Sequence, residues 1–282
     1  MTLQERLAAA REQLVRAGIQ PTEAAIDVDV YARTILKWDR GRLLLNHREP
    51  VPDSLEPQFS SWIARREQFE PTAYIVGERE FWGLDFYVSP AVLVPRPETE
   101  TLVEWALELA PAPRQVIDVG TGSGCIACAI AAARPAARVL AIDTSAAAAA
   151  LARANATALG LADRVTVVVG DLLAAVDALR ADLIIANLPY VPTSTLATLS
   201  PEVREHEPHA AVDGGPDGLR EIRRLVAAAP VRLALGGVLV METAGGTQTP
   251  EVVGLMGTAG FTGVATRRDL PGVERFVAGR CG

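Results

Sequence analysis

The spacing of apolar side chains divides the chain into an N-terminal part with helical periodicity and a C-terminal part in which helices alternate with strands. Over residues 1–69 the apolar positions recur every three or four residues, as at Leu3, Leu7 and Leu14. Glycine and proline residues separate the first predicted helix from a second, and a third is predicted to begin near Leu55. We therefore expect a small helical domain at residues 1–69.

Residues 70–98 show the pattern of short strands. Two runs rich in aromatic and β-branched residues, Thr72–Val76 and Glu80–Val88, are separated from their neighbours by glycines. This pattern predicts a β-hairpin that links the helical domain to residues 99–282.

Residues 99–282 alternate between apolar strand-like runs and helical segments. The predicted strands are Gln115–Val119, Val139–Asp143, Val165–Val169, Ala181–Ala186, Gly237–Glu242 and a terminal pair near Gly263–Thr266 and Glu274–Ala278, and the predicted helices are Thr99–Leu109, Cys125–Ala133, Ala146–Leu159 and Leu219–Ala229. Such alternation predicts an α/β fold with a mostly parallel sheet and helices on both faces. Ligands bind these sheets at the carboxyl ends of the strands.

Composition and charge narrow the classes of function. With 49% apolar and 22% charged residues, the chain has enough apolar surface to bury a core. Its apolar runs are broken well short of the roughly twenty residues that span a bilayer, and Met1–Arg16 mixes charges into its apolar positions, unlike a secretory signal. We expect a cytoplasmic protein, and the net charge of −7 disfavours binding to nucleic acid through phosphates.

The cysteines and histidines do not indicate a metal or redox site. Cys125 and Cys128 form a C-x-x-C, but this pair lies where a glycine-rich turn enters a helix, with no second pair of ligands nearby in the sequence. Free thiols and no bound metal are expected.

A glycine-rich turn follows the first predicted strand of the α/β domain, and it is a candidate cofactor site. The turn consists of Gly120, Thr121, Gly122, Ser123 and Gly124. Glycines let the backbone approach a ligand closely, and the amides of the following helix point at it. The third glycine comes one residue earlier than in the dinucleotide fingerprint, which favours a methyltransferase over a nicotinamide oxidoreductase without excluding the latter.

Two acidic residues follow the next two strands. Asp143 stands where a carboxylate can accept hydrogen bonds from both hydroxyls of a ribose. Asp171 stands where an adenine amino group could be bound, but it is equally placed to cap a helix that begins at Leu172.

The fourth strand is followed by Asn187, Leu188, Pro189 and Tyr190. A carboxamide nitrogen is a weak nucleophile, so groups that accept its two hydrogens and hold it in line with a methyl donor would do most of the catalytic work. The Asn187 side-chain oxygen and the Leu188 main-chain carbonyl are candidate acceptors, and the Tyr190 ring is a candidate packing surface. The alternative is an ordinary turn at the end of a strand.

With these residues assembled, the chain resembles the release-factor glutamine methyltransferases, the PrmC/HemK family, over essentially its whole length. The resemblance is carried by Glu70–Gly77 with Glu80–Gly83, by Val94–Glu100, which contains the P-R-P-E-T-E signature, and by the segment from Glu202 to Leu219. It implies a Rossmann-like class I S-adenosylmethionine-dependent methyltransferase domain at residues 99–282. It also implies that residues 1–69 help to dock a peptide-chain release factor, and that the GGQ glutamine of this partner is methylated, leaving S-adenosylhomocysteine.

Residue by residue, the resemblance assigns the site. Gly120–Gly124 become the cradle of the methionine part, Asp143 the ribose ligand, Asp171 with Leu172 the adenine neighbours, and Asn187–Tyr190 the glutamine clamp, with Asn187 also beside the cofactor.

The chain departs from the family at two places. Leu188 stands where the clamp usually has proline; since its contact is through a main-chain carbonyl and a residue before Pro189 favours extended geometry, we expect activity to survive. The segment Glu242–Gln248 stands where relatives more often show a shorter segment of glutamate, an apolar residue and glycine.

Other substrates remain open at this point. A glutamine methyltransferase acting on a ribosomal protein would share every motif, and an adenine-N6 DNA methyltransferase would share the clamp, although the acidic chain lacks an added DNA-recognition domain. A protein that binds the cofactor without catalysis is disfavoured by the intact Asn187, Pro189 and Tyr190.

Overall fold

The computed structural model describes residues 1–176 and 179–282, which form two compact units. The helical unit comprises Met1–Gly77 together with Ser200–His206, and the α/β unit comprises Glu78–Leu199 together with Glu207–Gly282. The helices are α1 (Leu3–Arg16), α2 (Pro21–Leu36), α3 (Arg40–Leu45), α4 (Gln58–Glu67), α5 (Thr72–Val76), α6 (Glu98–Leu109), α7 (Cys125–Ala133), α8 (Ala146–Ala158), α9 (Pro201–His206), α10 (Arg220–Ala228) and α11 (Gln248–Thr258). The strands are β1 (Glu78–Phe81), β2 (Leu84–Tyr87), β3 (Gln115–Val119), β4 (Arg138–Asp143), β5 (Val165–Val169), β6 (Ala181–Ala186), β7 (Leu233–Glu242), β8 (Phe261–Arg268) and β9 (Glu274–Cys281).

In the helical unit, the apolar stripe of α1 packs against α2 and α4, as its periodicity predicts. Leu3, Leu7 and Leu14 are fully buried in one core with Phe59 of α4. Helix α1 begins with a capping box, in which the Thr2 hydroxyl accepts a hydrogen bond from the main chain of Glu5 and the Glu5 carboxylate accepts one from the main chain of Thr2.

A buried arginine ties three segments of the helical unit together. Arg66 of α4, with 1% of its side chain exposed, donates to Asp27 of α2 at 2.7 Å and lies 2.5 Å from Glu23 of the same helix. It also contacts Glu202, which belongs to α9. The helical unit is thus assembled from two separate stretches of the chain.

The structure corrects the predicted conformation of Thr72–Val76. These residues form helix α5, which buries Ala73, Tyr74 and Ile75. Aromatic and β-branched side chains of this kind are also common in strands, so the sequence pattern allowed either conformation. Ile75 joins the core of the helical unit, and the helix ends at Gly77, whose φ is +89°. The hairpin of the α/β unit is confined to β1 and β2, which pair antiparallel.

The α/β unit contains a seven-stranded mixed sheet in the order β5-β4-β3-β6-β7-β9-β8, in which β9 runs opposite to the other six strands. Alternate residues of β3 face opposite sides: Val116 belongs to the core that contains Ile126 of α7, and Ile117 belongs to the core that contains Ile222 of α10. The predicted α/β fold with helices on both faces is confirmed.

Within the residues described, no helix is long and apolar enough to cross a membrane.

Candidate active site

A cavity of about 520 Å³ lies where β3, β4, β5 and β6 end. Its walls include the residues that follow each of these strands, as expected for a parallel sheet. Among them are Gly120, Thr121, Gly122, Ser123, Asp143, Asp171, Leu172, Asn187, Leu188 and Pro189. The structure therefore brings most of the predicted site residues to one cavity.

The glycine-rich turn has the backbone shape that the sequence predicted. Gly120, Gly122 and Gly124 have φ values of +75°, +54° and +82°, a region that side chains rarely tolerate. A Cβ on Gly124 would lie 3.1 Å from that of Ala152, whereas a Cβ on Gly122 would meet no atom within 4 Å. Gly124 is therefore required for packing, and the space over Gly122 is open to a ligand.

Asp118, which was not among the predicted site residues, supports this turn from the preceding strand β3. Its fully buried carboxyl accepts a hydrogen bond of 2.5 Å from the Thr121 hydroxyl. Burial raises the pKa of Asp118 to about 7, against the lowering effect of the Thr121 hydrogen bond. The sequence does contain one signal for this role, because Asp118 is the single charged residue of β3.

Asp143 is fixed at the cavity wall by main-chain amides. Its two carboxylate oxygens accept hydrogen bonds from Gly122 at 2.9 Å and from Ser145 at 2.8 Å. The acid at the end of β4 is thus joined to the glycine-rich turn at the end of β3, at the position predicted for a ribose ligand. Each carboxylate oxygen has lone pairs beyond these bonds.

Asp171 and Leu172 also line the cavity, but the capping interpretation of Asp171 is wrong. In the described part of the chain its side chain makes no capping hydrogen bond to the short 3₁₀ turn Leu172–Ala175. Its carboxylate instead pairs with Arg224 of α10 at 2.6 Å. Asp171 therefore remains a candidate for the adenine end, with its carboxylate already held by a cation.

Asn187 is held by a chain of hydrogen bonds that we call the Glu242 network, formed by Asn187, Thr99, Glu242 and Tyr190. The Asn187 amide nitrogen donates to the Thr99 hydroxyl at 3.1 Å, and that hydroxyl donates to Glu242 Oε2 at 2.8 Å. The Tyr190 hydroxyl donates to Glu242 Oε1 at 3.2 Å. Glu242 is fully buried, and this burial raises its pKa to about 7.

The Glu242 network was not predicted from the sequence, although its members belong to segments that the sequence analysis describes. Thr99 belongs to the P-R-P-E-T-E signature at the start of α6, and Glu242 ends β7. Only the fold shows that these two positions meet the end of β6. The structure separates Tyr190 from the rest of the clamp, because among the described residues it does not line the cavity.

Leu188 joins the clamp to the glycine-rich turn. Its side chain is buried, and one of its methyl carbons would lie 2.9 Å from a Cβ on Gly120. The side chain at this position therefore packs against the turn, in a place where a larger residue on Gly120 would disturb both.

The cavity also contains a cation at its wall. Arg96 pairs with Glu207 at 2.6 Å, and the Glu207 side chain is almost completely buried. The guanidinium of Arg96 is a candidate partner for the carboxylate of a methionine moiety.

The thiols of the C-x-x-C are buried in α7, and burial raises the pKa of Cys125 and of Cys128 to about 12. Both are protonated near neutral pH and therefore poor nucleophiles and poor metal ligands. Among residues 1–176 and 179–282, no cluster of three histidine, cysteine or acidic side chains is arranged to hold a metal ion.

Comparison with known proteins finds two family models and full-length relatives. A family model described as the PrmC N-terminal domain matches residues 5–77, and one described as the methyltransferase small domain matches residues 98–200. A release factor glutamine methyltransferase of Geobacter sulfurreducens is 42% identical over 281 residues, which is 100% of this chain and 97% of the relative. One of Cereibacter sphaeroides is 42% identical over 280 residues, 99% of each chain.

A solved structure with a similar fold is the hMettl16 catalytic domain in complex with MAT2A 3′UTR hairpin 6. Its TM-score is 0.60 at 18% identity, with 77% of this chain and 81% of that chain covered. This likeness concerns the fold alone.

Proposed function

Because the chain belongs to the family of release factor glutamine methyltransferases and is an S-adenosylmethionine-dependent methyltransferase, we propose that it methylates the side-chain N5 of a glutamine in a peptide-chain release factor. The target within that partner is the GGQ glutamine, and the reaction takes place in the cytoplasm. The helical unit, which matches the PrmC N-terminal domain, provides the docking surface.

The orientation of the Asn187 amide is the observation that carries this proposal. Ionised Glu242 accepts the single hydrogen of the Thr99 hydroxyl, so Thr99 can only accept from Asn187, and the Asn187 nitrogen must face it. Asn187 lines the cavity, and no hydrogen bond to its oxygen is found from any described residue, so the oxygen is free to accept one from a ligand there. An acceptor in this position suits a substrate that presents an N–H.

The residues around the cavity fit the cofactor. Gly120, Thr121, Gly122 and Ser123 would hold the methionine part, Asp143 the ribose and Asp171 with Leu172 the adenine, while Arg96 is available to the carboxylate. Gly124, also assigned to this cradle, packs against Ala152 and is not among the described residues that line the cavity. When bound, S-adenosylmethionine supplies an electrophilic methyl group on a sulfonium.

The protein contributes mainly positioning in this proposal. The N–CH3 bond forms as the S–CH3 bond of the donor breaks, and the amide nitrogen releases one of its two protons to solvent. Asn187 Oδ1 and the Leu188 main-chain carbonyl accept the two hydrogens of the glutamine amide and restrict its rotation. Holding a weak nucleophile in one orientation can supply much of a barrier reduction. Tyr190 supports the clamp through its hydrogen bond to Glu242.

The test is methyl transfer from radiolabelled S-adenosylmethionine to purified release factors, ribosomal proteins and double-stranded DNA in parallel, followed by mass mapping. We expect label on one glutamine of a release factor, and none when the GGQ glutamine is replaced by asparagine. Label confined to a ribosomal protein or to DNA would retain the clamp chemistry and overturn the substrate. No label on any of the three would overturn the proposed reaction.

A further inference from the structure

An asparagine side chain can occupy its site in two orientations that differ little in shape. Its oxygen only accepts hydrogen bonds and its nitrogen only donates them, so the partners decide which end faces the substrate. For Asn187 the partner is Thr99, a residue that is only 3% exposed and whose hydroxyl lies 3.1 Å from the amide nitrogen. The direction of the Thr99 hydrogen therefore determines the orientation of the amide.

The direction of that hydrogen depends in turn on Glu242. An ionised carboxylate has no hydrogen to give, and the two oxygens of Glu242 receive the hydroxyls of Thr99 and Tyr190 at 2.8 and 3.2 Å. A protonated Glu242 can donate to Thr99 instead. Thr99 is then able to donate to Asn187, which allows the inverted amide, with its nitrogen in the cavity.

The charged groups around Glu242 come from several segments. Burial raises the pKa of this carboxyl to about 7, the Thr99 hydrogen bond lowers it, the charge of Glu98 raises it and the charge of Arg275 lowers it. Arg275 of β9 is itself held by Asp269 at 2.6 Å. Of the groups facing Glu242, Tyr190 also has a pKa raised by burial, so it stays protonated through the neutral range.

We propose that Glu242 and Thr99 are positioning residues that set the orientation of the Asn187 amide, so that its oxygen is presented to the substrate nitrogen only while Glu242 is ionised. The part of this inference that concerns the substrate rests on the proposed function. The part that concerns the orientation of Asn187 is a property of the protein alone and is measured without any substrate.

The first measurement is nuclear magnetic resonance of protein labelled with ¹⁵N at asparagine. The chain has three asparagines, Asn46, Asn155 and Asn187, so only three side-chain amide pairs have to be assigned. The Asn155 pair donates to the main-chain carbonyls of Tyr87 and Ser123, and an unchanged position of this pair in each variant shows that the fold is intact.

We expect the Asn187 pair to shift between about pH 5 and about pH 9, with a midpoint near 7, in the wild-type protein. Glu242→Gln and Thr99→Val abolish this shift, and Thr99→Ser, which keeps the hydroxyl, retains it. An Asn187 pair that titrates equally in wild type and in Glu242→Gln would overturn the proposed link, because another group would then be responsible.

The second measurement is the pH profile of kcat and KM for methylation of a release factor. We expect kcat to rise with pH through about 7 in wild type, and Thr99→Val to lower it about 100-fold with little change in the affinity for S-adenosylmethionine. Thr99→Ser recovers most of the loss. A merely structural role would lower the melting temperature of Thr99→Val while leaving kcat and its pH profile unchanged at a permissive temperature.

The two measurements separate the failure of this inference from the failure of the proposed function. If the Asn187 resonance follows Glu242 but wild-type protein methylates no glutamine, the orientation device is supported and the substrate is wrong. If wild type methylates a release factor while the resonance and the Thr99→Val kinetics are unaffected, the proposed function is supported and the positioning role is overturned.

Discussion

The Gln248 side-chain amide donates a hydrogen bond of 2.8 Å to the main-chain carbonyl of Tyr190, and one of 3.1 Å to that of Asp217. Its oxygen accepts from the main chain of Ala244 at 3.0 Å. Gln248, the last residue of the segment Glu242–Gln248, therefore supports the clamp Asn187–Tyr190 by binding the main chain of Tyr190. The sequence alone indicated only that this segment differs from the pattern of the family that the chain resembles.

We expect Gln248→Glu to loosen the clamp, because glutamate has no hydrogen to donate at neutral pH and would face two carbonyl oxygens. The loss should cost about 1–3 kcal/mol in the free energy of unfolding, measured by urea titration, and lower kcat more than cofactor affinity. Gln4→Glu, on an exposed position of α1, is the matched control. A Gln248→Glu protein with wild-type stability and kcat would show that this support is dispensable.

We predict that Asn187→Ala reduces methylation of a release factor by at least about 100-fold, because the acceptor for the substrate amide is removed. Affinity for S-adenosylmethionine, measured by calorimetry, should stay within a few-fold of wild type. Asn46→Ala, in the helical unit, serves as the control for an asparagine outside the cavity. Equal losses in methylation and in cofactor binding would make Asn187 a structural residue.

We predict that Asp143→Ala weakens binding of S-adenosylmethionine by roughly 1 to 3 kcal/mol, as expected when ribose hydroxyls lose a hydrogen-bond acceptor. The substitution also frees the main-chain amides of Gly122 and Ser145, so circular dichroism must show that the fold is retained. Asp163→Ala, at an acid whose side chain is 75% exposed, is the control. Unchanged cofactor affinity would remove Asp143 from the site.

The buried carboxyl of Asp118 predicts a dependence of stability on pH. Because its pKa is raised from 3.8 to about 7 in the folded protein, the folded state binds a proton more tightly than the unfolded state. This contribution is complete below about pH 4 and is lost as the pH rises through 7, by an amount on the order of 4 kcal/mol. Relative to Asp118→Asn, the wild-type protein should therefore lose stability between pH 4 and 8 in urea titrations. The same dependence of the unfolding free energy on pH in both proteins would contradict this assignment.

The strands of the sheet were predictable because their apolar and β-branched runs are short and bounded by polar or glycine residues. The bounds predicted for β3, β5 and β6 match the observed ones, and β4 begins one residue earlier, at Arg138. Strand β7 begins at Leu233 rather than Gly237, since two glycines within it weaken the pattern.

The missed helices have less distinctive sequences. Helix α11 contains one proline and two glycines, which lower its helical propensity, and its packing against β8 and β9 compensates for this. Helix α3 spans only six residues and depends on a cap from Asp39. For a short segment such as α5, the side chains allow either conformation and the surrounding core decides.

The site was predictable only where its residues follow one another in the chain. The glycine-rich turn and the segment Asn187–Tyr190 could be read directly, because each is a local motif at a strand end. The contacts of Thr99 with Asn187 and Glu242 span 88 and 143 residues, so no local pattern could predict them. These contacts depend on the order of the strands in the sheet, which brings the end of β7 beside the end of β6.

The assembly of the helical unit from two stretches of chain limits how this architecture can be rearranged. An exchange of that unit between two relatives would have to join the chain at three points, after Gly77, after Leu199 and after His206. A single junction after Gly77 would combine Arg66 of one parent with Glu202 of the other. Recombination would therefore preserve this ion pair only between parents that match at both positions.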